Sequence, residues 1–146
     1  IKNLIVGKNP VSLAADPLQN EVFIACTGTV GFKGFIAVVS SVSDQVAAVI
    51  DTGTSIAPVQ IAVQDSLLAY ILSDNGSIRT RNRYTYSFRK DISGNFYALA
   101  IGNGELFAAD GQDFISNGIL TWFSTTLDQK KQFSVGQSPS AIILGH

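Results

Sequence analysis

Val6-Gly7-Lys8-Asn9-Pro10, running into Val11-Ser12-Leu13-Ala14-Ala15, is the stretch that decides the fold, because the chain returns to its plan. Asp51-Thr52-Gly53 leads, after a short insertion, into Ala57-Pro58-Val59-Gln60-Ile61-Ala62-Val63. Ile92-Ser93-Gly94-Asn95 leads into Phe96-Tyr97-Ala98-Leu99-Ala100, and Val135-Gly136-Gln137-Ser138-Pro139 into Ser140-Ala141-Ile142-Ile143-Leu144. The marker glycines stand at 7, 53, 94 and 136, so the intervals are 46, 41 and 42 residues. A period of that size signals repeated supersecondary units.

Each unit holds short apolar runs separated by turns. In the first, these are Val11–Ala15, Glu21–Cys26, Phe35–Ser40 and Gln45–Asp51, divided by stretches rich in Gly, Pro, Asn and Asp. Runs this short, dominated by Val, Ile and Phe, read as strands rather than helices. The third unit repeats the plan with Phe96–Ile101, Glu105–Asp110, Ile119–Ser124 and Lys131–Val135. Four strands per unit give an all-β fold of β-propeller type. The units cover approximately 8–53, 54–94 and 95–136, and terminal strands in 1–7 and 137–146 belong to incomplete blades. The marker glycines are expected to turn the chain sharply from one blade to the next. Pro10, Pro58 and Pro139 suit the first residue of an inner strand.

The second unit is less regular. Val59–Val63 and Leu67–Ser73 are plain strands, whereas 75–89 does not divide cleanly. Tyr84, Tyr86 and Phe88 alternate with Thr85, Ser87 and Arg89, which predicts one two-faced strand. Arg79, Arg81 and Arg83 form another strand or part of a long edge hairpin.

Three units fall short of the four to eight blades of a closed ring. The sequence therefore predicts a large apolar interface, because an open arc exposes sheet faces and strand edges. Two arrangements fit: part of a larger propeller completed by another chain, or two copies making a six-bladed ring. Only 14% of residues are charged, against about 25% in an average domain. That leaves much surface needing cover.

The repeats resemble those of YVTN-type propellers. The resemblance rests on Val6-Gly7 with Pro10, Glu21-Val22-Phe23-Ile24-Ala25, Ile36-Ala37-Val38-Val39-Ser40, and Gln45-Val46 with Ile50 and Gly53. In the third unit it rests on Asn103-Gly104-Glu105-Leu106-Phe107-Ala108-Ala109-Asp110 through Ser116-Asn117-Gly118. Such repeats are similar to surface-layer and quinoprotein-like propellers, and imply an exported or surface protein. They build blades rather than active sites. Phe23-Ile24-Ala25-Cys26 and Phe107-Ala108-Ala109-Asp110 depart from the family's aromatic-Val-(Thr/Ala)-Asn.

Chemistry-bearing residues are few. Arg79, Arg81, Arg83, Arg89 and Lys90 hold five of the ten basic residues, beside Tyr84 and Tyr86. Arg79, Arg81, Arg83, Tyr84 and Tyr86 are the candidate ligand contacts, suited to a carboxylate, sulfate or acidic glycan through arginine's fixed donor fork. The competing and favoured reading is a solvated edge whose like charges discourage strand pairing. Cys26 reads as a buried small hydrophobe, since the single histidine that would serve it is the terminal His146. Asp110, Gln112, Asp113, Ser116 and Asn117 gather oxygens in one loop without the spacing of a calcium hand, and read as a turn, as does Ser73-Asp74-Asn75-Gly76-Ser77. Trp122 is expected to pack between blades with its indole N–H bonded.

No catalytic, cofactor or metal set emerges from the spacing. A formal charge of -1 gives no bulk attraction to nucleic acid. No apolar run reaches the roughly 18 residues of a spanning helix. The expectation is a non-enzymatic, extracytoplasmic scaffold contacting protein or glycan. The alternative is a subunit or fragment of a propeller hydrolase or lyase whose site other blades complete.

Overall fold

A computed structural model describes residues 3–16, 18–53, 57–73 and 75–144. Among the described residues, twelve strands form three four-stranded antiparallel sheets, each a meander in chain order. The first blade holds β1 (Pro10–Asp16), β2 (Glu21–Cys26), β3 (Phe35–Ser40) and β4 (Gln45–Asp51). The second holds β5 (Pro58–Gln64), β6 (Leu67–Leu72), β7 (Ile78–Asn82) and β8 (Phe88–Ile92). The third holds β9 (Phe96–Gly102), β10 (Glu105–Asp110), β11 (Asn117–Phe123) and β12 (Gln129–Gln137). This is a partial propeller: three blades, no closed ring.

Alternation along the strands sends successive side chains to opposite faces, and the second blade packs on both. Phe23, Ala25, Ile36, Val38 and Ile50 of the first blade meet Ile61, Leu68, Tyr70 and Leu72 of the second. The second blade's other face brings Leu67, Ala69, Ile71, Ile78 and Ile92 against Phe96, Leu99, Leu106, Ala108 and Phe123 of the third. A middle blade covered on both sides explains why all six residues of β6 are buried.

The repeat is clearest in its irregularities. Each inner strand carries one unpaired residue near its start: the register skips Val11, Val59 and Tyr97. Each outer strand carries another, at Ala47, Arg89 and Lys130. Each turn into the outer strand has a left-handed residue three places before that strand's bulge: Asp44 (φ 52), Tyr86 (φ 57) and Leu127 (φ 65). Such bulges increase local twist and re-aim a side chain. They also fix which positions are equivalent between blades.

Several expectations change. The alternation over 84–89 is not one strand: β7 ends at Asn82 and β8 begins at Phe88, with a turn between. Asn82 Oδ1 accepts the backbone N–H groups of Tyr84 (2.9 Å) and Thr85 (3.0 Å), which closes that turn. Of the marker glycines, Gly53 (φ 100) makes the sharp turn between the first two blades. Gly94 lies in the next connection without a left-handed φ, and Gly136 lies inside β12. Gly34 is needed for a different reason, since a Cβ there would sit 2.7 Å from the Ala57 backbone. Residues 3–7 and 139–144, expected as strands of neighbouring blades, run without regular structure. The remainder of those terminal segments, with Pro17 and Asp74 of the expected turns, lies outside the described residues.

Candidate functional site

The arginine stretch sits at the seam between the first and second blades. Arg79 and Arg81, two apart on β7, share a face, and Arg83 follows in the turn. Arg79 forks onto Asp91, with Nε and Nη2 at 2.9 and 3.0 Å from its carboxylate oxygens, while Nη1 donates to the Thr52 carbonyl at 2.9 Å. The Asp91 hydrogen bonds raise the Arg79 pKa above its ordinary value, against a smaller opposing effect of burial. Arg81 donates to Tyr70 Oη (3.0 Å), the Tyr86 carbonyl (2.8 Å) and the Asp51 carbonyl (3.0 Å).

Arg83 is the least exposed of the three, its side chain 2% accessible. Its Nη2 donates to Glu21 Oε2 at 2.9 Å, and its Nε stands 2.6 Å from Asp16 Oδ2 without the alignment of a hydrogen bond. The guanidinium also lies 4.7 Å from the Tyr84 ring and 5.6 Å from the Phe23 ring. Asp16 and Glu21 come from the first blade, so a charged group of one blade is held by carboxylates of another. Tyr84 is exposed on the turn, and Tyr86 packs against the core between these blades. Burial raises the Tyr86 pKa, with Glu21 adding to the rise and Arg83 opposing it. The five expected contact residues thus cluster, but the three guanidiniums are committed to groups within the chain.

A second candidate lies at the edge where blades connect, which sequence reading did not single out. Gly76 packs near Asn95 and Phe96, and Ser73 donates its backbone N–H to the Ala57 carbonyl at 2.9 Å, so the loops after β2, β6 and β10 share that edge with the connectors. Val30 and Phe32 in the first loop and Phe114 and Ile115 in the last are exposed there. Lys8 Nζ lies 3.3 Å from the Phe32 ring centroid, and Tyr97 meets Phe114 edge-on at 4.7 Å. The re-aimed Val59 and Tyr97 flank a cleft of about 230 Å³ lined also by Ser73, Asn75 and Asn95. Apolar residues inside glycine-bounded loops, at Val30, Phe32, Phe114 and Ile115, were the available signal.

The remaining expected positions resolve locally. Asp113 Oδ1 accepts the N–H groups of Ile115 (3.0 Å) and Ser116 (2.7 Å), and these bonds lower its pKa. With Asp110 Oδ1 accepting the Gln112 N–H at 2.7 Å, the loop is a turn held by its own side chains. Asn75 Oδ1 likewise accepts the Ser77 N–H at 2.9 Å. Cys26 is fully buried, and burial raises its thiol pKa, which disfavours the reactive thiolate. His146 lies outside the described residues. The Trp122 indole donates to Glu105 Oε2 at 2.9 Å and stacks on Phe107, but on the face turned away from the second blade. Among the described residues, no three His, Cys, Asp or Glu side chains converge as metal ligands, and no helix is long and apolar enough to cross a membrane.

These features define a propeller arc in which, among the described residues, no blade neighbours the outermost sheet faces. Solved structures agree on that class. Residues covering 97% of this chain superpose on 40% of a hydrazine synthase chain from Kuenenia stuttgartiensis, with a TM-score of 0.74 and 11% identity. The WD40 repeats of RRP9 match 90% of this chain over 40% of theirs, at a TM-score of 0.71 and 15% identity. BamB from Moraxella catarrhalis matches 92% of it over 37% of its own chain, at a TM-score of 0.66 and 8% identity. The match therefore spans 40% or less of each of these chains, and likeness at such identity concerns the fold alone. No protein-family model and no curated protein matches the sequence.

Proposed function

We propose that this chain is a non-catalytic propeller arc that works as a scaffold once further blades cover its two end faces. The observation that carries this is the contrast between the built seams and the bare ends. Two apolar clusters join the blades, yet Leu13 (67%) and Val49 (60%) on the first blade's far face are largely exposed. Phe133 on the third blade's far face is exposed as well. Open apolar sheet faces of this kind mark association surfaces.

In this reading Arg79, Arg81 and Arg83 hold the blades together, and ligand contact falls to the connector edge with Val30, Phe32, Tyr97, Phe114 and Ile115. A protein or glycan is the ligand class suited to exposed aromatic rings beside Ser and Asn side chains. The YVTN-like residues favour an exported or surface protein. Burial withdraws Cys26 from nucleophilic chemistry. Native mass spectrometry tests the proposal. Assemblies heavier than one 15.5 kDa chain are expected. A population of lone chains that binds no apolar dye contradicts it.

A further inference from the structure

The bulges allow the third blade's bare face to be compared, position by position, with the two covered faces of the same sense. Glu21-Val22-Phe23-Ile24-Ala25 of β2 aligns with Glu105-Leu106-Phe107-Ala108-Ala109 of β10, so Phe107 and Ala109 stand where Phe23 and Ala25 meet the second blade. The face is built to take another blade.

Equivalent positions differ in charge, and the differences specify the partner. Glu21 needs Arg83 of the next blade. Glu105 is neutralised within its own blade, because Lys130 at the bulge lies 2.7 Å from Glu105 Oε1, where the first blade has Ala47. Its pKa is lowered chiefly by that lysine. The incoming blade therefore needs no arginine at the place of Arg83. Lys131 is equivalent to Lys90, which reaches into the following blade, 2.8 Å from the Leu127 carbonyl and 3.2 Å from Asp128 Oδ1. Among the described residues, Lys131 has only the Phe133 ring, 4.9 Å away. The missing neighbour should carry a carboxylate at or beside the left-handed turn position held by Tyr86 and Leu127.

The first blade of this chain has those properties. At the place of Arg83 it has Ser41, at the left-handed turn position it has Asp44 (φ 52), and its bare face offers Leu13, Val22 and Ile24 where the second blade offers Ile61, Leu68 and Tyr70. We infer that a second copy of this chain docks head to tail, its first blade covering the third blade's bare face with Asp44 received by Lys131. Two such contacts close six blades, within the usual range. The inference rests on the reading of the chain as an incomplete arc and names what completes it. Residues 139–144 cross the margin of the same face, with Pro139 against Gly118 and Leu144 against Gly102. The partner's β1 takes that place, so a chain ending at Gln137 should associate more tightly.

Sedimentation velocity over a concentration series tests this on the full chain, with Lys131→Glu, Asp44→Lys and the double variant. Tyr86 and Leu127 already occupy the equivalent left-handed position, so a long side chain fits at 44. The wild type should dimerise, each single reversal should weaken the dimer by about tenfold or more, and the double variant should recover it. Association indifferent to the reversals, or a double variant no better than the singles, overturns the inference while leaving the incomplete arc intact. A monomer that binds apolar dye does the same. A monomer that binds no dye overturns the arc reading too.

Discussion

The seam between the first and second blades holds a buried charge within its apolar packing, whereas the charges that cross the seam between the second and third are exposed. In the former, Arg83 is sunk between Asp16 and Glu21, and Arg79 and Arg81 cap carbonyls of the first blade. In the latter, Lys90 meets Asp128, side chains 44% and 73% exposed, and the Leu127 carbonyl, and Arg89 reaches the Thr125 carbonyl at 3.4 Å. The lesson concerns cost. A buried charge is a liability unless its partner is present, so the first seam specifies its neighbour more strictly than the second.

The largest effect expected from breaking that comparison is at Arg83. Arg83→Ala leaves two carboxylates facing each other at the first seam and should lower unfolding stability by about 4 kcal/mol, read from the urea midpoint. The matching cut at the second seam, Leu106→Ala, opens a cavity beside Phe123 and should cost about 3 kcal/mol. Lys90→Ala removes an exposed ion pair and should cost less than about 1 kcal/mol. If Lys90→Ala proved as damaging as Arg83→Ala, the distinction between the seams would fail.

Acid sharpens the same contrast. Asp128 has a lowered pKa, from hydrogen bonds with Thr126 and Lys90, as does Glu105 through Lys130. Carboxylates with depressed folded-state values stabilise the protein above their unfolded pKa, and that contribution is lost as pH falls through the folded value. A small decline in melting temperature should therefore begin as pH falls into the ordinary carboxylate range and continue below it. Lys90→Ala should remove part of it. A decline beginning near neutrality would contradict the assignment.

Much of the architecture was legible because blades are built from local patterns. The inner strands, the hairpins around them and the period all show in residues close together in sequence. The turn at 83–87 was misread as strand because Tyr84, Tyr86 and Phe88 alternate with small polar residues, as a strand would. What decides it is Arg83, whose partners Asp16 and Glu21 lie 67 and 62 positions earlier. No local pattern carries that. The bulges at Val11, Val59 and Tyr97 were equally invisible, since register belongs to a pair of strands and not to one. The Trp122 indole N–H has the partner its sequence setting predicts, but its packing face turns away from the second blade, which strand alternation alone does not reveal.

Hydroxyl-radical footprinting of the dilute chain, read residue by residue by mass spectrometry, tests the central claim most directly. Leu13 and Phe133 on the end faces should be oxidised rapidly, while Phe23, Leu68 and Leu106 within the seams stay protected. Equal protection of the two sets in a 15.5 kDa monomer would mean that the end faces are covered from within the chain, and the open arc would not stand.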